Sequence, residues 1–161
     1  MHTLVLALGA SSLAIFGGEV REASAKAGIP TPPVVVSQEL SNPAWVVFPC
    51  ALEYVGHPDC VGRPPVTTVY IHPASLKESR WVLTLWAYHE VCHISLGHRW
   101  PVGTTEEEME RDHAEVRECQ IDLLGRARYN VLRKIIFGNT HSSVPVRPVA
   151  PALGGVATSP W

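Results

Sequence analysis

The chain lacks the features by which several function classes announce themselves. Thirteen Lys and Arg stand against fifteen Asp and Glu, a formal net charge of −2. That leaves no basic footprint for a nucleic-acid groove or an anionic membrane surface. None of the four cysteines forms a C-x-x-C pair, which argues against a Cys/His structural zinc knuckle. No segment repeats, so a solenoid or propeller is not indicated. The apolar run from Leu4 to Phe16 is too short for a comfortable membrane span, and no Lys or Arg precedes it. At 161 residues the sequence allows one compact domain of modest core, with tails.

One further absence is informative. Gly and Pro are frequent in the chain, yet neither occurs from Leu76 to Leu96. That stretch can run as one helix. Ser75 and Glu78 resemble a capping box, Pro73 discourages an earlier start, Gly97 suits a left-handed stop and Pro101 forbids continuation. Its apolar residues, among them Leu83, Leu85, Trp86, Val91 and Ile94, fall almost all round the helix, which predicts a buried one.

Within this buried helix the chain reads His89-Glu90-Val91-Cys92-His93, an H-E-x-x-H pattern. Helical spacing puts two imidazoles one turn apart on one face with a carboxylate beside them, the arrangement that holds zinc and activates its water. Polar groups inside an apolar helix need partners, and a metal supplies one. The alternative is a buried helix whose histidines serve backbone carbonyls or an interface.

Zinc in a catalytic site usually takes three protein ligands. A second helix is expected after Thr104 or Thr105, capped by Glu107 or Glu108, and running to about Arg133 with a bend near Gly125. Met109, Val116, Leu123, Leu124 and Ala127 form its apolar stripe, and Glu115, Cys119 and Asp122 lie along one flank. Glu115 is the expected third ligand, with Asp112, His113 and His98 as rivals, and Asp122 as an acceptor that would orient a ligating His. The metzincin extension fails, because Leu96 and Arg99 stand where its Gly and His would be.

The segment His89 to His98, followed by Ala114-Glu115-Val116 and Leu123-Leu124, resembles the ImmA/IrrE group of small gluzincin metallopeptidases, with Cys92 where that group has Gly. The resemblance covers roughly residues 66 to 130. It implies an α+β fold, a minimal zincin-like domain in which a small mixed sheet packs on the H-E-x-x-H helix and a second, ligand-bearing helix. It again implies Glu115 as third ligand.

The remaining segments are less specific. Residues 1–25 read as a signal peptide or as an apolar N-terminal helix. Ala23-Ser24-Ala25 resembles a cleavage site, which slightly favours export or membrane association over a cytoplasmic location. Val34 to Val36, Trp45 to Phe48 and Val66 to His72 predict three strands, with Thr67 to His72 as the edge beside the cleft. Cys50 and Cys60 bracket a Gly/Pro-containing loop and suit a bridge; Cys92 and Cys119 suit packed thiols, a bridge or competing zinc ligands. Residues 138–161 read as a flexible Pro/Gly-rich tail, which leaves 26–137 as the domain.

The resulting expectation is a metallopeptidase with one zinc ion on His89, His93 and Glu115, and Glu90 as general base. Its partner would be a peptide or protein substrate. Tyr88, His98, His72 and His57 are candidate oxyanion donors. The competing expectation is a zinc-binding, regulatory or interaction module without turnover. Membrane association and oligomeric state stay open.

Overall fold

Small and apolar residues up to Phe16 carry few helix-breaking features, and the N-terminal segment forms one long helix, α1, Thr3–Ala27. It ends where Gly28 takes a left-handed conformation (φ 69°) and the Ile29 N–H returns to the Ser24 carbonyl, closing the last turn. In this computed structural model, residues 3–40, 42–49, 64–99 and 104–137 are described. The expected Cys50–Cys60 bridge, His57 and the 138–161 tail lie outside them. Among the described residues the order is α1, β1 (Val34–Val36), β2 (Ala44–Val47), β3 (Thr68–Ile71), a 3-10 turn (Pro73–Lys77), α2 (Arg80–Leu96), α3 (Glu106–Leu124) and α4 (Arg126–Phe137). The fold is α+β: four helices and one three-stranded mixed sheet.

Phe16, Val20 and Ala23, spaced to share one face of α1, are fully buried with Leu83, Ala87, Tyr88 and Val91 of α2 in a single core. Ala23 and Ser24 of the Ala-Ser-Ala sequence lie inside this packed helix, both without exposed surface. No described helix is long and apolar enough to cross a membrane.

The sheet order is β1-β3-β2, with β3 parallel to β1 and antiparallel to β2. This corrects the expectation that Thr67 to His72 forms the edge. Thr68, Val69 and Ile71 are all buried, a near-continuous buried run that suits a central strand flanked on both sides. The outer strand β2 takes the position near α2. The His72 N–H bonds the Pro43 carbonyl and Val46 stands opposite Val69, so residues 43, 45 and 47 share the ladder bonds. The N–H groups of Ala44 and Val46 therefore turn away from β3.

Helix α2 starts later than its sequence suggests. Ser75 does not cap it; its hydroxyl donates to the Pro43 carbonyl, and the segment before Glu78 winds as a 3-10 turn capped by His72. Ser79 is the N-cap of α2, and Gly97 ends it in the left-handed region (φ 71°). Helix α3 opens with the expected capping box between Thr105 and Glu108. The bend near Gly125 is a break: Gly125 (φ 79°) terminates α3 and α4 follows at once. A backbone conformation at positive φ strains any residue with a Cβ, so glycine is required there.

Candidate metal centre

His89 and His93, one turn apart on α2, bring their Nε2 atoms to 3.1 Å of each other. Two nitrogens bound tetrahedrally to zinc at 2.0–2.1 Å would stand about 3.3 Å apart, so this pair is close to ligand spacing. His113 of α3 joins them. Ligand atoms of His89, His93 and His113 all lie within 4.8 Å of one another, a group able to hold a metal ion. The His113 ring stacks on His89 at 5.5 Å between centroids and meets His93 edge-on at 5.3 Å.

His113, expected as a rival to Glu115, is the residue that completes this group. The face of α3 turned to α2 carries His113, Val116, Gln120 and Leu124, spaced at three and four residues. Position 115 is two residues on from 113, about 200° around the helix, so both side chains cannot aim at the same point. Glu115 is half-exposed, and its Oε2 stands 3.3 Å from His98 Nε2.

Each of the three rings meets a neighbour on its outer side. Gln120, buried between the helices, donates its amide N–H to the Leu85 carbonyl at 2.9 Å. Its carbonyl oxygen is left to accept from the His89 ring, a bond that favours a proton on that ring. With one N–H committed to Gln120, the nitrogen turned towards His93 is a lone pair. The Met109 carbonyl accepts from His113 in the same way. His98 Nδ1 lies 3.3 Å from His93 Nδ1. Burial holds His89 down to about 4 and His93 to about 2, with the neighbouring imidazoles adding to both shifts, and burial lowers His113 as well. All three rings are thus neutral near pH 7, the state in which imidazole is a metal ligand.

Glu90 leaves α2 on the flank next to the two histidines and meets Val46 of β2. It is buried, and desolvation raises its carboxyl to about 8, offset in part by the Val46 backbone N–H. That donor is one of the β2 groups turned away from β3, so the outer strand and the H-E-x-x-H helix meet at this carboxyl.

The other expected site residues lie elsewhere. Tyr88 directs its hydroxyl into α1, donating to Glu22 at 2.8 Å and accepting from Lys26 at 2.9 Å. That makes it part of the helix packing, not an oxyanion donor. His72 Nδ1 accepts from the Ala74 N–H and caps the 3-10 turn. Asp122, expected to orient a ligating His, is exposed and lines a surface groove with Glu118, Arg111 and Leu96. Gln120 is the residue that serves the His89 ring. It was missed because an amide within an apolar stripe carries no charge or motif; its one signal is its position seven residues after His113 on the same face.

Cys92 and Cys119 form a disulfide that ties α2 to α3 beside the centre, one residue before His93 and one before Gln120. Comparison of the chain with protein-family models, with curated proteins and with solved structures gives no match.

Proposed function

We propose that the protein is a zinc-dependent peptidase of the H-E-x-x-H kind on a zincin-like fold, with His89, His93 and His113 holding one zinc ion and Glu90 acting as general base. The observation that carries the reading is the convergence of three neutral imidazoles, two with Nε2 atoms 3.1 Å apart. Lone pairs that face each other at this distance repel, and a cation between them removes the repulsion. The donor set fits: three imidazoles suit a borderline-soft ion such as zinc and leave a fourth position for water, the composition of a catalytic rather than a structural site.

Zinc bound there would supply an acidified water and a Lewis acid for the scissile carbonyl. Glu90 adjoins His89 on the helix and sits in a dry pocket. A cation nearby favours its ionised form and works against the desolvation that raises it. As a carboxylate it takes the proton of the attacking water and hands it to the leaving amine nitrogen. The Val46 N–H holds the carboxyl in place between transfers.

One observation favours a second reading, a zinc-binding module without turnover. Glu90 is enclosed by the fold and already served by a backbone donor, as a structural carboxyl would be. Glu90→Gln separates the two. Zinc content of dialysed protein and cleavage of a mixed peptide pool are measured for both forms. A peptidase keeps its zinc and loses cleavage by about 100-fold or more. Wild type with stoichiometric zinc and no cleavage supports the module, and wild type that binds no zinc rejects both.

A further inference from the structure

Gly97 does more than end α2. Its left-handed conformation turns the chain back so that the His98 N–H bonds the His93 carbonyl at 3.0 Å. The His98 ring then lies against His93, with centroids 5.4 Å apart, and its side chain is almost fully covered at 8 % exposure. Three polar atoms follow in line. His93 Nδ1 meets His98 Nδ1 at 3.3 Å, and His98 Nε2 meets Glu115 Oε2 at 3.3 Å. The sequence holds these residues at 93, 98 and 115, on α2, on the turn after it and on α3.

The donor pattern in this row has one consistent solution for neutral rings. A carboxylate oxygen only accepts, so the proton between Glu115 and His98 is on His98 Nε2. A neutral imidazole carries one N–H, so His98 Nδ1 is an acceptor. The proton between the two rings is then on His93 Nδ1. His93 Nε2, the atom turned to His89, is left as the lone pair.

We infer that His98 and Glu115 are positioning residues: together they form a relay that fixes His93 in the Nδ1–H tautomer and presents its Nε2 to a metal. The inference deepens the zinc-site reading and rests on it for its purpose, but the tautomer can be read without any metal. It also gives Glu115 a role other than ligation. The relay needs an acceptor at position 115, whereas coordination needs an anionic oxygen. An amide oxygen satisfies the first requirement and not the second.

The experiment follows from that difference. Chelator-treated protein with 15N-labelled histidine is compared by NMR in wild type, His98→Ala, Glu115→Ala and Glu115→Gln, and zinc affinity is measured on the same set with a competing chelator. In wild type the His93 nitrogens report a proton on Nδ1. In His98→Ala that signature is lost, and zinc affinity falls by about 10- to 100-fold, the range for removal of a residue that orients a ligand. Glu115→Ala falls in the same direction, the double variant is no weaker than His98→Ala alone, and Glu115→Gln stays within about 3-fold of wild type. Glu115 is at an exposed helical position, so its variants carry the test if His98→Ala does not fold.

Three results overturn the relay. One is an unchanged His93 tautomer in both alanine variants. The second is multiplied losses in the double variant. The third is a Glu115→Gln loss as complete as that of a ligand variant, which would return Glu115 to the metal. Failure of the peptidase reading looks different: zinc binding without cleavage, or no zinc binding, with the His93 tautomer still sensitive to His98 and Glu115.

Discussion

Helix α2 carries two polar clusters, and they are built on opposite principles. On one face Arg80 and Tyr88 reach α1: Arg80 holds Glu19 with Nε and Nη2 at 3.3 and 3.1 Å, and the Tyr88 hydroxyl sits between Glu22 and Lys26. Arg128 of α4 adds a second cation near Glu19 and Glu22. Here opposite charges answer one another from within the chain, although the buried Glu19 Oε2 has no hydrogen bond and lies 4.0 Å from Arg128. On the other face the members are all bases of one kind. Gln120, Met109 and His98 serve the outer sides of His89, His113 and His93, and the inner nitrogens converge. Such a cluster is complemented by a cation. Both are polar groups in or near the core: one joins opposite charges, and the other gathers three imidazoles that could hold a metal ion.

The comparison is sharpest where one cluster is broken and the other is left alone. His93→Ala removes the innermost donor and should abolish specific zinc binding. In wild type, zinc at a thousand times its dissociation constant would add about 4 kcal/mol of stability. Calorimetric scans with and without zinc should show a shifted midpoint in wild type and none in His93→Ala. An equal shift in both would mean that the ion binds elsewhere. Next in size is Cys92→Ser with Cys119→Ser. The bridge closes a loop with a sequence separation of 27. By chain-entropy arithmetic it contributes roughly 3.5 kcal/mol, read as a lower urea midpoint. Because it clamps α2 to α3, its loss should weaken zinc binding as well, whereas cuts in the α1 cluster should not.

The local parts of this architecture were legible in the sequence. The H-E-x-x-H helix, its stop at Gly97, the Thr105–Glu108 capping box and the three strand runs each depend on neighbours a few residues away, whereas the bend expected at Gly125 is a full break. What depended on packing was not. The choice between His113 and Glu115 is set by how α3 is rotated about its own axis, and the apolar stripe left both on or beside the facing side. An amide such as Gln120 gives no signal until its partners, the Leu85 carbonyl and the His89 ring, are brought to it. An apolar run with small residues suits a signal peptide and a core helix equally, and the burial of Phe16, Val20 and Ala23 against α2 depends on contacts with residues far along the chain. Cys92 and Cys119 were recognisable as neighbours, but their state was open until the helices were placed.

Smaller effects test the charged cluster against α1. Arg80→Ala leaves the buried Glu19 carboxylate facing Arg128 at 4.0 Å. Breaking a fully buried pair costs about 3–5 kcal/mol, and the exposed Arg80 end reduces this to about 2 kcal/mol. Chemical denaturation should show that loss, with the zinc-induced shift intact. The pH dependence of chelator-treated protein probes the other cluster. Glu90 has a folded-state value of about 8 against 4.5, so the folded state holds a proton that the unfolded chain gives up, and stability falls as pH rises from 4.5 to 8. His89 and His93, at about 4 and about 2 against 6.5, act in the opposite sense, and their contribution is lost as pH falls below 6.5. Two histidines outweigh one carboxyl below that point and only the carboxyl acts above it. Stability should peak near pH 6.5 and decline by about 1–2 kcal/mol towards pH 8. Glu90→Gln should remove the alkaline decline, and a decline that persists would assign it to another group.

Tyr88→Phe makes the finest cut. It deletes the hydroxyl that donates to Glu22 and accepts from Lys26, while those two keep their own contact at 2.9 Å. Because both former partners stay paired, no buried charge is stranded, and the loss should be about 1 kcal/mol or less. The substitution also decides between two uses of a tyrosine beside an H-E-x-x-H motif. A hydroxyl that stabilised an oxyanion would, on removal, lower peptide cleavage by about 100-fold at unchanged zinc content. A hydroxyl turned into α1 leaves cleavage within about twofold of wild type. The observed bonds to Glu22 and Lys26 require the second result, and a large loss of cleavage would mean that Tyr88 swings out of the helix packing during turnover.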